Sequence, residues 1–176
     1  MVKASVLGMT IGAALLCSVS GAPAADKATE MFLTKAMQGN MAEVKVGQLA
    51  QQKGQSEEAK KFGQMLQMDH SEANRKAMEI AKQIGVMPPN EPNAQQKAVY
   101  DKLSKLSGAE FDREFAKEMI EDHQKDIKEF ENEAKKKGAV GEFAEETLPH
   151  LKMHLQVAES LNKDRSSTVG SGSKRK

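Results

Sequence analysis

From about residue 29 to residue 162 the apolar residues recur three and four positions apart, the spacing of one face of an α-helix. The first stretch with this pattern spans residues 29–53, with Phe32, Ala36, Val44, Val46 and Ala50 on one side and Gly54 after it. Gly39 and Gly47 interrupt it and predict a close helix approach or a kink. The second spans 57–84 and carries Ala59, Phe62, Leu66, Ala73, Ala77, Ile80 and Ile84. Ser56 is placed to cap it, Glu57 and Glu58 suit its first turn, and Gly85 with Pro88-Pro89 stops it. A Pro/Asn loop leads into a shorter helix, 94–106, broken at Ser107-Gly108. The pattern resumes over 109–137, with Phe111, Phe115, Met119, Ile127, Phe130 and Ala134 on one side, ending at Gly138. A last helix covers 141–162, with Phe143, Leu148, Leu151, Leu155, Ala158 and Leu161 inside and Pro149 marking a kink or a late start. Period-two alternation over a useful length is missing, so no strand is expected.

Two short connections and one long one define a topology. The first two long helices are antiparallel neighbours, as are the last two. The long connection carries the chain back along the bundle, so the second and third long helices run the same way. The fold expected is all-α: a ferritin-like four-helix bundle whose long crossover carries a short extra helix. An up-down-up-down bundle ranks second, since it has no use for so long a connection.

One stretch occurs twice. Phe62, Asp69-His70, Ala81 and Gly85 are matched, at equal spacings, by Phe115, Asp122-His123, Ala134 and Gly138. A second correspondence is Phe32 to Glu43 and Phe143 to His154. Placing residues ~100° apart around each helix puts Glu43 near the centre of the first stripe. It puts Asp69 and His70 astride the second, with His123 and His154 inside the third and fourth. Asp126 falls nearer an edge, Asp122 further out, and His150 at a boundary. A rise of ~1.5 Å per residue brings Glu43, His70, His123 and His154 to one level near mid-bundle. Glu43, Asp69, His70, His123 and His154 are therefore the candidate metal ligands, for one divalent ion: iron, manganese, zinc or copper. Gln67 and Ile120 stand three residues before His70 and His123, so the paired Glu-x-x-His of di-iron bundles is absent. The same residues also suit a buried hydrogen-bonded layer that sets helix register. Met65, Met68 and Met119 near the Asp-His pairs, Met37 and Met41 near Glu43, and Met153 beside His154 add a copper(I) alternative; as helix-forming core fillers they need no metal. There is no G-x-S-x-G, no phosphate-binding glycine loop and no H-E-x-x-H, and successive residues such as Asp69 and His70 do not face each other. No catalytic residue or cofactor-binding motif is assigned, and an enzyme is the less favoured reading.

Composition changes the picture at the two ends. Met1-Val2-Lys3, an apolar run to Val19 and Ala22-Pro23-Ala24 have the layout of a secretory signal peptide over residues 1–24. Its removal would take away Cys17, the single cysteine, and Lys3, leaving a neutral, disulfide-free chain from a formal net charge of +1. A membrane anchor and a lipid-bearing Cys17 rank below cleavage, because the run is short and Leu16 precedes the cysteine. The bundle domain is expected over 26–163 and a disordered, weakly basic tail over 164–176. No broad basic face points to nucleic acid. No membrane span is expected after cleavage; peripheral envelope contact and self-association stay open.

Gly39-Asn40 to Glu43, Gly47-x-Leu49-Ala50, Phe62 to Asp69-His70, Leu106-Ser107-Gly108-Ala109-x-Phe111-Asp112, and Leu148-Pro149 through His154-Leu155 together resemble an exported bacterial family, domain of unknown function 4142. Its members are often labelled putative outer membrane proteins. The resemblance covers about residues 32–161 and implies a ferritin-like bundle, export, and no established activity. It places Glu43, His70, His123 and His154 at the family's polar positions. The outer-membrane label sits badly with a chain lacking any β-barrel pattern, so a periplasmic location is expected, with outer-membrane association open. Three readings therefore stand: a non-enzymatic periplasmic bundle with room for a metal or a small polar ligand in its middle layer, a ferritin-like metal-dependent oxidase or peroxide-handling enzyme, and a structural or stress-related envelope protein whose polar layer only sets packing.

Overall fold

The computed structural model describes residues 26–170, with side chains described through Lys163. Residues 1–25, which include the expected signal peptide, and residues 171–176 lie outside that range. Five helices follow in order: α1 Lys27–Lys53, α2 Glu57–Gln83, α3 Ala94–Ser104, α4 Gly108–Glu133 and α5 Ala139–Gly170. Among the described residues there is no strand, and no helix is long and apolar enough to cross a membrane. The four long helices and the crossover helix are those the periodicity predicts, in the ferritin-like arrangement.

The ends follow local chemistry. Asp26 caps α1 by accepting from Thr29 N–H at 2.8 Å. Ser56 caps α2 through Ala59 N–H at 3.2 Å. Asn93 and Gln96 form a reciprocal capping box on α3, with bonds of 3.0 and 2.8 Å. Gly85 (φ +76°) and Gly138 (φ +101°) make the turns after α2 and α4 in a conformation that side chains resist. α4 closes earlier than its periodicity suggests, where Lys136 Nζ meets Glu133 Oε2 at 2.7 Å. α5 begins before Pro149 and continues through it, so this proline does not mark a late start. α5 also runs past Asn162 to Gly170, into the segment expected to be a loose tail.

α1 and α2 touch backbone to backbone. A Cβ added to Gly47 would lie 2.5 Å from Gly63 O, and one added to Gly63 would lie 2.6 Å from Gly47 O. Here Gly47 marks a close approach. Asp112 at the start of α4 ties this pair to the rest. Its buried carboxylate accepts from Gln55 N–H (2.9 Å), Ser56 N–H (3.0 Å) and Ser56 Oγ–H (2.9 Å), holding the α1–α2 turn.

The core is in two parts. One holds Leu49 and Ala50 of α1, Phe62 and Leu66 of α2, Phe111, Phe115 and Met119 of α4, and Ala158 and Leu161 of α5. The other holds Phe32, Leu33 and Met37 of α1, Ala77 and Ala81 of α2, Phe130 of α4, and Phe143, Ala144 and Leu151 of α5. The late parts of α2 and α4 share a cluster with the early parts of α1 and α5, so α2 and α4 run in the same direction. Burying each large side chain stabilises the fold by about 1.5–3 kcal/mol. Between the two clusters every helix switches to polar residues.

Candidate metal centre

Four side chains of that middle layer are almost fully buried: Glu43 (2% exposed), His70 (3%), His123 (0%) and His154 (0%). Each sits about midway along its helix, flanked by the apolar clusters. The ring centroids of His154 lie 5.2 Å from those of both His70 and His123, and His70 and His123 are 5.8 Å apart.

The outward nitrogen of each ring is committed to an acceptor. His123 Nδ1–H donates to Met119 O at 2.9 Å. His154 Nε2–H donates to Asp69 Oδ2 at 2.9 Å. His70 Nδ1–H donates to Asn40 Oδ1 at 2.8 Å. A neutral imidazole has one N–H, so these bonds leave lone pairs on His70 Nε2, His123 Nε2 and His154 Nδ1. These three ring nitrogens face the same point, with a ligating atom of each within 4.8 Å of the others.

Glu43 completes the group. Its Oε2 lies 3.0 Å from His70 Nε2 and 3.6 Å from His123 Nε2. Among the described residues no N–H or hydroxyl donor reaches either Glu43 oxygen or His70 Nε2, and the Asp122 carboxyl shares a hydrogen bond with Glu43 from the other side. His123 Nε2 and His154 Nδ1 approach to 3.2 Å with a lone pair on each. Burial holds all three imidazoles down at about 4, so they are neutral at pH 7. Burial pushes the Glu43 carboxyl up, against the pull of His123. At the His123–His154 contact the layer thus sets acceptor against acceptor, and the group could hold a metal ion.

The sequence places Glu43, His70, His123 and His154 together, and the fold does bring them together. Asp69 is at the layer, but its carboxylate holds His154 from behind, where an acceptor fixes a ligand's tautomer and aim. His150 is exposed beside Asp69, 3.4 Å from its Oδ2. Asn40, which orients His70, stands three residues before Glu43 on the same inward stripe; that position is its only sequence signal. Asp122 and Asp126 lie against Glu43 on the side opposite Asp69. The methionines contribute little to a thioether site. Met68 and Met153 are exposed, while Met37 and Met119 belong to the two apolar clusters.

A family profile described as "Domain of unknown function (DUF4142)" matches residues 16–161. The chain belongs to this family. The match spans the whole layer, from Glu43 to His154. No curated protein matches. Among solved structures, the crystal structure of a DUF305 fragment from Deinococcus radiodurans is similar, with a TM-score of 0.72 and 15% identity over 81% of this chain and 99% of that one. At that identity the likeness is one of fold. A DUF4142 protein can therefore place a buried His/Glu/Asp group, able to hold a metal ion, in the middle of a ferritin-like bundle.

Proposed function

We propose that this DUF4142 protein is an exported metal-binding bundle, in which His70, His123 and His154 supply three nitrogens and Glu43 a carboxylate oxygen to one divalent transition metal. One observation carries this reading: His123 Nε2 and His154 Nδ1 face each other as lone pairs at 3.2 Å, because Met119 O and Asp69 take the proton of each ring on its other side. A layer built only to satisfy itself would put a donor against an acceptor there. A metal turns the same arrangement into a pre-aimed donor set, with an acceptor holding each histidine from behind. Three imidazoles and a carboxylate suit zinc, iron, manganese or copper(II), and the outward or core-packed methionines argue against copper(I). Export rests on the signal-like residues 1–24, and a periplasmic location follows from it.

Cobalt(II) tests the site, since a nitrogen-rich centre colours it strongly and an all-oxygen, six-coordinate one barely does. Chelator-treated full-length protein should take up one strongly absorbing cobalt, displaced by zinc, and melt at higher temperature with either. His70→Leu with His123→Leu should keep the helical fold and lose that absorption. An absence of stoichiometric uptake, with melting unchanged by cobalt, zinc, iron or manganese, would sink the proposal. The N-terminal residue of protein recovered from the periplasmic fraction tests export; an intact Met1 on cytoplasmic protein would refute it.

A further inference from the structure

The internal repeat makes Glu43 and His154 counterparts, and likewise Asp69 and Asp122. The structure keeps that correspondence. Asp69 on α2 reaches across to His154 on α5, and Asp122 on α4 reaches across to Glu43 on α1. The chemistry of the two contacts is opposite. Asp69 meets an N–H donor at 2.9 Å. Asp122 meets a carboxylate, and Asp126, one turn further along α4, adds another. One oxygen each from Glu43, Asp122 and Asp126 lies within 4.8 Å of the others. Glu43 is 2% exposed and no N–H or hydroxyl donor among the described residues reaches either of its oxygens; on this side it meets the Asp122 carboxyl.

The cluster also has a way in. A cavity of about 270 Å³ opens between α1, α3 and α4, with Glu43, Asp122 and Asp126 on its wall. Lys125 and Lys35 line it too, but Lys35 is drawn to Glu129 at 3.0 Å.

We propose that Asp122, Asp126 and the outer face of Glu43 form a second, all-oxygen site for a hard divalent cation such as manganese(II), iron(II) or magnesium. Glu43 then stands between two unlike sites, a nitrogen-rich one among the buried histidines and an oxygen-rich one on the cavity between α1, α3 and α4. This extends the histidine-site reading and shares Glu43 with it. Three carboxylates and water from the cavity match the ligand preference of such ions, and the charge of the cation offsets the crowding of the three carboxylates.

The test is manganese(II) binding to full-length protein whose histidine site is first filled with one equivalent of zinc. Wild type should bind one further manganese, read by loss of the free-ion signal in electron paramagnetic resonance. Asp122→Asn with Asp126→Asn should weaken that binding by roughly tenfold or more, leaving zinc binding in place. Asp126→Ser alone gives a second variant with one acidic ligand removed, and circular dichroism confirms that both fold. Unchanged manganese affinity in these variants, or no manganese bound by the zinc-loaded wild type, overturns the second site and leaves the histidine site standing. Failure of the histidine site shows separately, as no zinc taken up in the first step. Manganese bound by His70→Leu/His123→Leu protein and lost on adding Asp122→Asn supports the oxygen site by itself.

Discussion

Asp69→Asn takes one charge and almost no volume from the α2–α5 side of the layer, and it should separate metal affinity from stability. The Asp69 carboxylate accepts from His154 Nε2–H at 2.9 Å, so His154 Nδ1 is left as a lone pair aimed at His123 Nε2, 3.2 Å away. An asparagine can turn its amide N–H toward Nε2. The ring proton then moves to Nδ1 and bridges to His123. The metal-free layer gains a hydrogen bond of about 0.5–1.5 kcal/mol, set against the loss of a charge-assisted one. The metal site loses a correctly protonated ligand. Replacing an acceptor behind a ligating histidine lowers affinity by roughly 10–100-fold, which is about 1.4–2.7 kcal/mol. Zinc titration by calorimetry should show that loss, while the metal-free melting temperature stays within about 2–4 °C of wild type. Affinity within about twofold of wild type would refute the tautomer argument. So would a metal-free protein destabilised as much as the metal-bound one.

Gly47→Ala should destabilise by about 1–3 kcal/mol through overpacking, despite alanine's better helix propensity, because its Cβ meets the Gly63 carbonyl; a stabilised variant in urea unfolding would disprove the close approach. Asp112→Ala should cost about 2–4 kcal/mol by orphaning the Gln55 and Ser56 donors, while leaving zinc affinity unchanged. In acid, the three buried histidines have folded pKa values of about 4, below the ~6.5 of the unfolded chain, so their contribution is full above pH 6.5 and is lost as pH falls from 6.5 to 4. Asp122, raised to about 7, works in the other direction: its contribution is present at low pH and is lost as pH rises through that value. Chelator-treated Asp122→Asn/Asp126→Asn protein should therefore lose stability more steeply than wild type between pH 6.5 and 4, measured by urea midpoints at each pH.

The bundle was legible because each helix announces itself locally. Ser56, Asn93, Gly85 and Gly138 sit at real ends, and long stripes of Phe, Leu and Ala define one inward face each. Glu43, His70, His123 and His154 were legible for the same reason: a polar residue on an apolar stripe has to go to the core. What escaped depends on which neighbour a side chain meets. Asp69 serves α5 and not its own helix neighbour His70. Asp112 holds a turn more than fifty residues back in the chain. Asp122 and Asp126 look like an edge of α4 until α1 brings Glu43 beside them and the crossover leaves a cavity there. The end of α5 was missed because Ser and Gly in residues 164–170 have low helix propensity, yet the helix continues from a well-packed turn.

The polar layer also divides the molecule mechanically. Two apolar clusters lie on either side of it, and each long helix threads both, so the chain resembles two short bundles joined end to end by four continuous rods. Across the joint, hydrogen bonds tie α1 to α2 through Asn40 and His70 and α2 to α5 through Asp69 and His154, while one half carries the further clamp of Asp112 on the α1–α2 turn. An ion in the joint would grip four helices at once and would make loosening of one half a loss to both. Metal binding in this protein would then be felt as cooperativity along its length, a single opening event in place of two.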